Sequence, residues 1–371
     1  MKISSNTLIC VLLAVAASCA LISCDNGKVA STETSTTTDT VALPDTITLA
    51  MTGDVMMGSL YPHERLPADS GAHIFDDVTP ILRSADVTLG NFEGTFAYSG
   101  KNRKNPASPM AFMFMMPPHF VHLLTDAGYD FMGLANNHIY DFWEAAMTTT
   151  EETLEKAGIG YAGAKDPTGR NQHQEYCVKE IDGVRYGFTA FGHEDYSLRT
   201  QDTATVRRII TTLRKMSDIV IVSFHGGAEG SGARHIPFAT EYLQGDDRGN
   251  VYEFGHFCID VGADVVYGHG PHVVRAIEMY KGKFIAYSLG NFCTCGMGVA
   301  GLTGYAPIIT IRINDKGGLI DGQIHSFLQE PMRGPKVDKS CRVAKEIKTL
   351  TQEDIPNSQL NISDDGVITR R

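Results

Sequence analysis

From residue 46 onward the chain alternates between short apolar runs and longer amphipathic stretches. Residues 47–51, 86–89, 129–134, 218–224, 263–267 and 284–288 are β-rich runs of four to seven residues, each ending in Gly or polar positions. Continuous short apolar runs bounded in this way predict fully buried strands. Helices are predicted between them. Pro117 and Pro118 open one over 117–128, with Phe120, Val121, Leu123 and Leu124 on its apolar side. Others span 142–157, ended by Gly158, then 205–216, and 251–261, ended by Gly262. Strand–helix alternation of this kind means an α/β architecture. Residues 307–314 and 322–328 read as a closing hairpin, and no internal repeat is present. The last stretch, 331–371, is charged and weakly periodic, and is expected to be a surface-packed or partly loose tail.

The polar residues that end these runs carry the candidate chemistry. Asp54, Asn91, Glu93, Asn137, His138, His225, His269 and His272 all fall just past strand ends. Ligands bind at that edge of open α/β sheets, so distant residues can converge there. Carboxylate, amide oxygen and imidazole are the donors a divalent cation takes, with no thiol needed. His269 and His272 share one loop whose backbone Pro271 stiffens. Each residue also has a plain structural reading. Asp54 can cap a turn, Asn137 can be a left-handed turn residue, and His225 can be a core histidine. Asp141 either orients His138 or caps the helix that starts at Phe142. Arg248 and Arg275 are candidates to clamp an anionic substrate, although Arg248 also suits a solvated turn. His193 and His235 lie near strand ends, within reach of a substrate. Met110, Met113, Met115 and Met116, with Phe112 and Phe114, predict an apolar wall.

Composition narrows the class. The 371 residues are 43% hydrophobic and 20% charged, as in globular proteins. A net charge of −11 with no basic run argues against nucleic acid as the main partner. The mean hydropathy of −0.11 excludes a polytopic membrane protein. The N-terminus differs from the rest. After Lys2, residues 8–22 are almost wholly apolar, short of the roughly 20 residues a spanning helix needs and suited to a secretory signal. The run ends Leu21-Ile22-Ser23-Cys24, which resembles the lipobox of bacterial lipoproteins. Residues 1–23 are therefore expected to be a lipoprotein signal peptide. Cys24 is the expected lipidation site, and 24–45 the lipidated Cys and flexible tether. The main domain is placed at 46–330. The expected location is the cell envelope, lipid-anchored, either periplasmic or surface-exposed. Cys177, Cys258, Cys293, Cys295 and Cys341 are odd in number and irregular in spacing, a poor disulfide framework; Cys293 and Cys295 are expected to be small buried residues.

Taken in order, TGDVMMG, LGNFEGTF, LANNHIYDF, FHGG, IDVGADVVYGHGPHVV and AYSLGNF resemble the CapA/PgsA family of capsule and poly-γ-glutamate synthesis proteins. The resemblance covers about residues 47–293. It implies the calcineurin-like metallophosphatase fold, an α/β four-layer sandwich of two mixed sheets flanked by helices. It also implies metal ligands at Asp54, Asn91, Glu93, Asn137, His225, His269 and His272, with His138 as the catalytic imidazole. One or two divalent ions of the Mn, Zn or Fe type are the implied cofactors. The implied partners are an anionic surface polymer or phosphoester substrate, the membrane through the N-terminal lipid, and a polymer synthase complex. The sequence departs from the superfamily at Met56, where a histidine is common, and at Glu93, where the bridging residue is usually aspartate. Gly270 stands where many family members carry a second histidine. Three functions stay open at this point: metal-dependent hydrolysis, a non-catalytic polymer-binding or assembly role, and a metal-dependent amidase acting on γ-glutamyl or cell-wall bonds.

Overall fold

The computed structural model describes residues 43–105 and 112–371. The expected signal peptide, Cys24, the expected tether as far as residue 42 and Met110 lie outside them. The strand Ile47–Met56 runs through the middle of a nine-stranded sheet. On one side follow Val87–Phe92, Phe131–Gly133 and Gly160–Ala162, all parallel. On the other lie Ile308–Ile313, Leu319–His325, Val367–Arg370 and Leu360–Ile362, all antiparallel. Asn291–Thr294 pairs in parallel with the end of Ile47–Met56. A second sheet of six strands runs Ile277–Tyr280, Lys283–Ala286, Val265–His269, Ile219–His225, Val184–Phe191 and Tyr176–Ile181.

The two sheets pack face to face. Leu49, Met51, Leu89 and Phe131 of the first sheet share one apolar cluster with Phe188, Ile221 and Val266 of the second. Tyr267 reaches across and donates from its hydroxyl to Gly90 O at 3.3 Å. Helices cover the outer faces. Thr203–Met216 buries Val206, Ile209, Ile210 and Leu213 within the same cluster, and Val251–Asp260 buries Phe254 and Cys258 there. Val121–Ala127 and Trp143–Lys156 bury Leu123, Leu124, Met147 and Leu154 in a second cluster with Ala50, Val55 and Met132 of the first sheet. The result is the four-layer α/β sandwich of two mixed sheets. Two helix starts are fixed by side chains that accept an orphan N–H: Asp202 from Thr205 at 3.1 Å and Asn250 from Glu253 at 3.2 Å.

All six expected buried strands form, and three features correct the expectation. A hairpin of Tyr176–Ile181 and Val184–Phe191 was not foreseen. Its signal was the Asp182-Gly183 pair, whose φ values of 50° and 79° make the two-residue turn that suits twisted strands. Residues 322–328 do not form one strand: Leu319–His325 pairs with Ile308–Ile313, and Phe327–Glu330 turns away to pair with Gly334–Val337. The C-terminal stretch is not a loose tail. The helix Arg342–Asp354 buries Val343, Ala344, Ile347 and Leu350, and two short strands then extend the first sheet. Its apolar stripe has helical spacing, masked in the sequence by the charged opposite face. Cys293 and Cys295 are free and buried, with sulfurs 3.9 Å apart. Met113, Met115 and Met116 are buried as an apolar wall. Among the described residues no helix is long and apolar enough to cross a membrane.

Candidate metal centre

Strand register brings the polar ends together. Asp54 stands beside Asn91 on one neighbouring strand and beside Asn291 on another. Asn91 pairs with Gly133, the last residue before the Leu134–His138 turn. In the second sheet His269 stands beside His225. Paired residues on adjacent strands are about 5 Å apart, so each sheet delivers a row of donors to its rim. The rows meet: His269 Nδ1 lies 3.1 Å from Asp54 Oδ1.

Asp54 is fully buried. Its Oδ1 accepts from Asn91 Nδ2 at 2.8 Å, and His272 Nδ1 lies 3.1 Å from its Oδ2. His272 Nδ1 is also 3.0 Å from Asn291 Oδ1. Both neighbours accept, so Nδ1 carries the proton and donates. Nε2 then faces Glu93, 3.7 Å from its Oε1. Ligand atoms of Asp54, Glu93 and His272 all lie within 4.8 Å of one another.

The decisive feature is what these groups do not touch. Both carboxylate oxygens of Glu93, both ring nitrogens of His225, His269 Nε2 and Asn137 Oδ1 are buried without a hydrogen-bond partner, and His269 Nδ1 faces only Asp54 Oδ1. Native folds satisfy nearly all such atoms, and each orphan costs about 1–3 kcal/mol. Electrostatics carry the same message. Burial, with Asp54 alongside, pushes the pKa of Glu93 up to about 8. Burial opposes a charge on His272, but Glu93 and Asp54 outweigh it and raise its pKa to about 10. Burial also disfavours the Asp54 charge, yet His269 and His272 hold its pKa far below the usual carboxylate range. Burial drives the pKa of His225 well below that of free imidazole. The pocket therefore holds one firmly ionised carboxylate, a second awaiting a counter-charge, and a neutral imidazole. Such a donor set fits a divalent cation of the Mn, Zn or Fe class.

His138 stands beside this cluster rather than in it. Its Nδ1 is 2.8 Å from Asp141 Oδ2, and its Nε2 is 3.9 Å from Glu93 Oε1. Asp141 is fully buried and does not cap the following helix, which begins at Trp143 with no side-chain cap. Its Oδ2 accepts from the Phe114 N–H at 2.9 Å instead. Lys104 Nζ lies 2.8 Å from Asp141 Oδ1. Burial opposes the charge on Asp141, but His138 and Lys104 keep its pKa below the usual value. Burial, then Lys104, lowers the pKa of His138 against the pull of Asp141. The Phe114 ring covers the imidazole, with centroids 4.3 Å apart.

Other expected residues are placed differently. Asn91 is engaged within the chain. Its Nδ2 donates to Asp54, and its Oδ1 accepts from Asn136 Nδ2 at 3.1 Å, so it holds Asp54 in place. Arg275 does not reach a substrate. It is fully buried, its guanidinium bonded to both oxygens of Glu241 at 2.8 and 2.7 Å and to Ala233 O at 2.7 Å. Arg248 does line the cleft above the metal centre, with its guanidinium held by Glu229 at 2.8 Å and Gly227 O at 3.1 Å. His235 pairs with Asp354 at 2.8 Å. His193 is buried with its ring 6.2 Å from that of His225. Gly270 has a φ of 113°, and a Cβ there would sit 2.5 Å from Gly226 O, so this backbone excludes a second histidine. Asn291, Lys104 and Glu229 were not foreseen. Asn291 had the same signal as the others, a polar residue at a strand end; the other two sit in loops where no periodicity marks them.

A family model for the bacterial capsule synthesis protein PGA_cap matches residues 48–295. The PGA biosynthesis protein CapA of Bacillus subtilis (strain 168) is 29% identical over 261 residues, covering 67% of this chain and 63% of that protein. The capsule biosynthesis protein CapA of Bacillus anthracis is 27% identical over 262 residues, covering 66% and 59%. The chain thus spans about three-fifths of the length of these relatives. Among solved structures, the calcineurin-like phosphoesterase YfkN from Bacillus subtilis aligns at 13% identity with a TM-score of 0.45, over 84% of this chain and 97% of that one. The chain belongs to the bacterial capsule synthesis protein family.

Proposed function

We propose that this member of the capsule synthesis family is a metal-dependent hydrolase of the cell envelope. In this reading it is lipid-anchored through Cys24 and acts on a phosphoester or related bond in the synthesis or export of an anionic surface polymer. The observation that carries the reading is the set of buried, unpartnered donors on Glu93, Asn137, His225 and His269. With Asp54 and His272 they would hold one or two divalent cations. A cation so held supplies Lewis-acid activation of water and of the scissile centre. The chain's own groups do the rest. Asn91 and Asn291 fix the orientation of Asp54 and His272. Asp141 fixes the tautomer of His138 by taking its Nδ1 proton in a hydrogen bond. Nε2 is left to hold or deliver a proton to the leaving oxygen, an effect worth roughly 10²–10⁴ in rate. Phe114 shields that imidazole from water.

The test is turnover of phosphodiester, phosphomonoester and γ-glutamyl amide model substrates by purified protein with Mn or Zn added. Phosphoester turnover is expected, falling about 10²–10⁴-fold in His138→Ala while metal content is unchanged. Turnover of the γ-glutamyl amide alone would replace the phosphoesterase reading with the amidase one. Equal inertness of wild type and variant, with metal bound, would leave a binding or assembly role. Cys24→Ser is expected to move the protein to the soluble fraction; continued membrane attachment would remove the lipid anchor.

A further inference from the structure

Away from the metal centre the cleft changes character. It encloses about 500 Å³, and Phe112, Phe114, Leu243, Met297 and Val299 face into it from three separate segments. Among the described residues, two permanent cations line it, Lys104 and Arg248, and neither is free. Lys104 Nζ is held by Asp141 at 2.8 Å, donates to Phe112 O at 3.0 Å, and lies 3.3 Å from Asn137 O. Arg248 is fixed by Glu229 and Gly227 O. Three carboxylates, Glu194, Glu229 and Asp246, share the lining.

A polyanion in this cleft would meet no unengaged cation and the exposed carboxylate of Asp246, and like-charge contacts of that kind exclude ligands. A single anionic group needs only the metal centre at the rim. Beyond that group, Phe112, Phe114, Leu243, Met297 and Val299 offer apolar surface, whose burial favours an uncharged body. The wall is tied to the core at one end. Leu243 and Asp246 sit on the short hairpin of Tyr242–Leu243 and Asp246–Asp247. At its base is Glu241, held by the buried Arg275. Arg275 therefore has a positioning role: it fixes the apolar wall rather than touching the ligand.

We infer that the substrate of this cleft bears one phosphate-like anionic group on an uncharged, largely apolar body, and that a polymer of repeating carboxylates does not enter it. This rests on the hydrolase reading and narrows it to a precursor or carrier class rather than the finished polyanion.

The test uses the full chain loaded with Mn, its metal content measured first. Methylphosphonate, phenylphosphonate, decylphosphonate and a poly-γ-glutamate oligomer are then titrated by calorimetry at low salt. Phenyl- and decylphosphonate are expected to bind at least tenfold more tightly than methylphosphonate. Leu243→Ser combined with Met297→Ser should lose most of that gain with metal content unchanged. Poly-γ-glutamate should not bind measurably, and Asp246→Lys, which adds a free cation at the exposed flap, should create affinity for it. Equal affinity for the three phosphonates overturns the inference. So does poly-γ-glutamate binding more tightly than phenylphosphonate with an affinity that falls as salt rises. A protein that holds no cation overturns both the hydrolase reading and this inference; one that holds the cation and prefers the polyanion overturns only the inference.

Discussion

Two polar clusters are equally buried in this protein and are built in opposite ways. Arg275 and Glu241 meet in a bidentate pair, with Ala233 O accepting from Arg275 Nε and the Ala228 N–H donating to Glu241 at 2.9 Å. Every nitrogen of the guanidinium and every oxygen of the carboxylate has a partner. At the strand rim, Glu93, His225 and His269 are no more exposed than Glu241, yet both oxygens of Glu93, both ring nitrogens of His225 and His269 Nε2 lack hydrogen-bond partners. The difference teaches how to read buried polarity. Where a pair has only a structural task, the fold completes it. Where the groups stay incomplete, they leave room for a partner from outside the chain, which the hydrolase proposal requires.

The comparison can be broken from either side. The largest effect is expected at the completed pair. Arg275→Met leaves Glu241 buried and uncompensated and should cost about 3–5 kcal/mol in urea unfolding. Adding Glu241→Met should recover much of that; a loss below about 1 kcal/mol in the single variant would mean the pair is not a closed unit. Next comes the rim. His269→Ala with His272→Ala should keep the metal-free fold but abolish stabilisation by added Mn, which is worth about 2.7 kcal/mol at a hundred times Kd. Stabilisation equal to wild type would remove both histidines from the site. A smaller effect, opposite in sign to most core substitutions, is expected for Glu93→Gln in metal-free protein. The variant no longer needs to be kept protonated or paired, so stability should be unchanged or raised by about 1 kcal/mol. A clear loss would show that Glu93 already has a partner.

The smallest effect concerns a third cluster. His173 lies between Glu151 at 2.7 Å and Glu144 at 2.6 Å. Burial works against its charge, but the two carboxylates raise its pKa above the usual value. A group with a raised folded pKa stabilises fully below its unfolded value, near pH 6.5, and loses that contribution as pH rises through the folded value. The stability advantage of wild type over His173→Gln should therefore be greatest below about pH 6.5 and shrink at higher pH. A constant difference across that window would mean His173 is not held charged.

The strand rim was legible in the sequence because buried parallel strands leave an unbroken apolar run, and the first polar residue after it must sit at the edge. Asp54, His225 and His269 follow their apolar runs by one to three residues and stand at that rim. Asn91 followed the same rule but holds Asp54 rather than facing the centre, since pairing across strands is set by register and not by local pattern. Arg275 was misplaced because a buried arginine and a substrate arginine look alike until Glu241, 34 positions earlier, is seen against it. Lys104 could not be read at all, because its partner Asp141 is brought near by the fold of an irregular loop. The C-terminal helix was hidden by charge on its outer face, though Val343, Ile347 and Leu350 carried the period.

The central claim is that the incomplete rim is a cation site. Anomalous diffraction from crystals of the full chain grown with Mn tests it most directly. The account predicts one or two strong peaks within ligand distance of Asp54, Glu93 and the three imidazoles of His225, His269 and His272. Peaks confined to other parts of the surface, with the Glu93 and His225 side chains unchanged and dry, would contradict it.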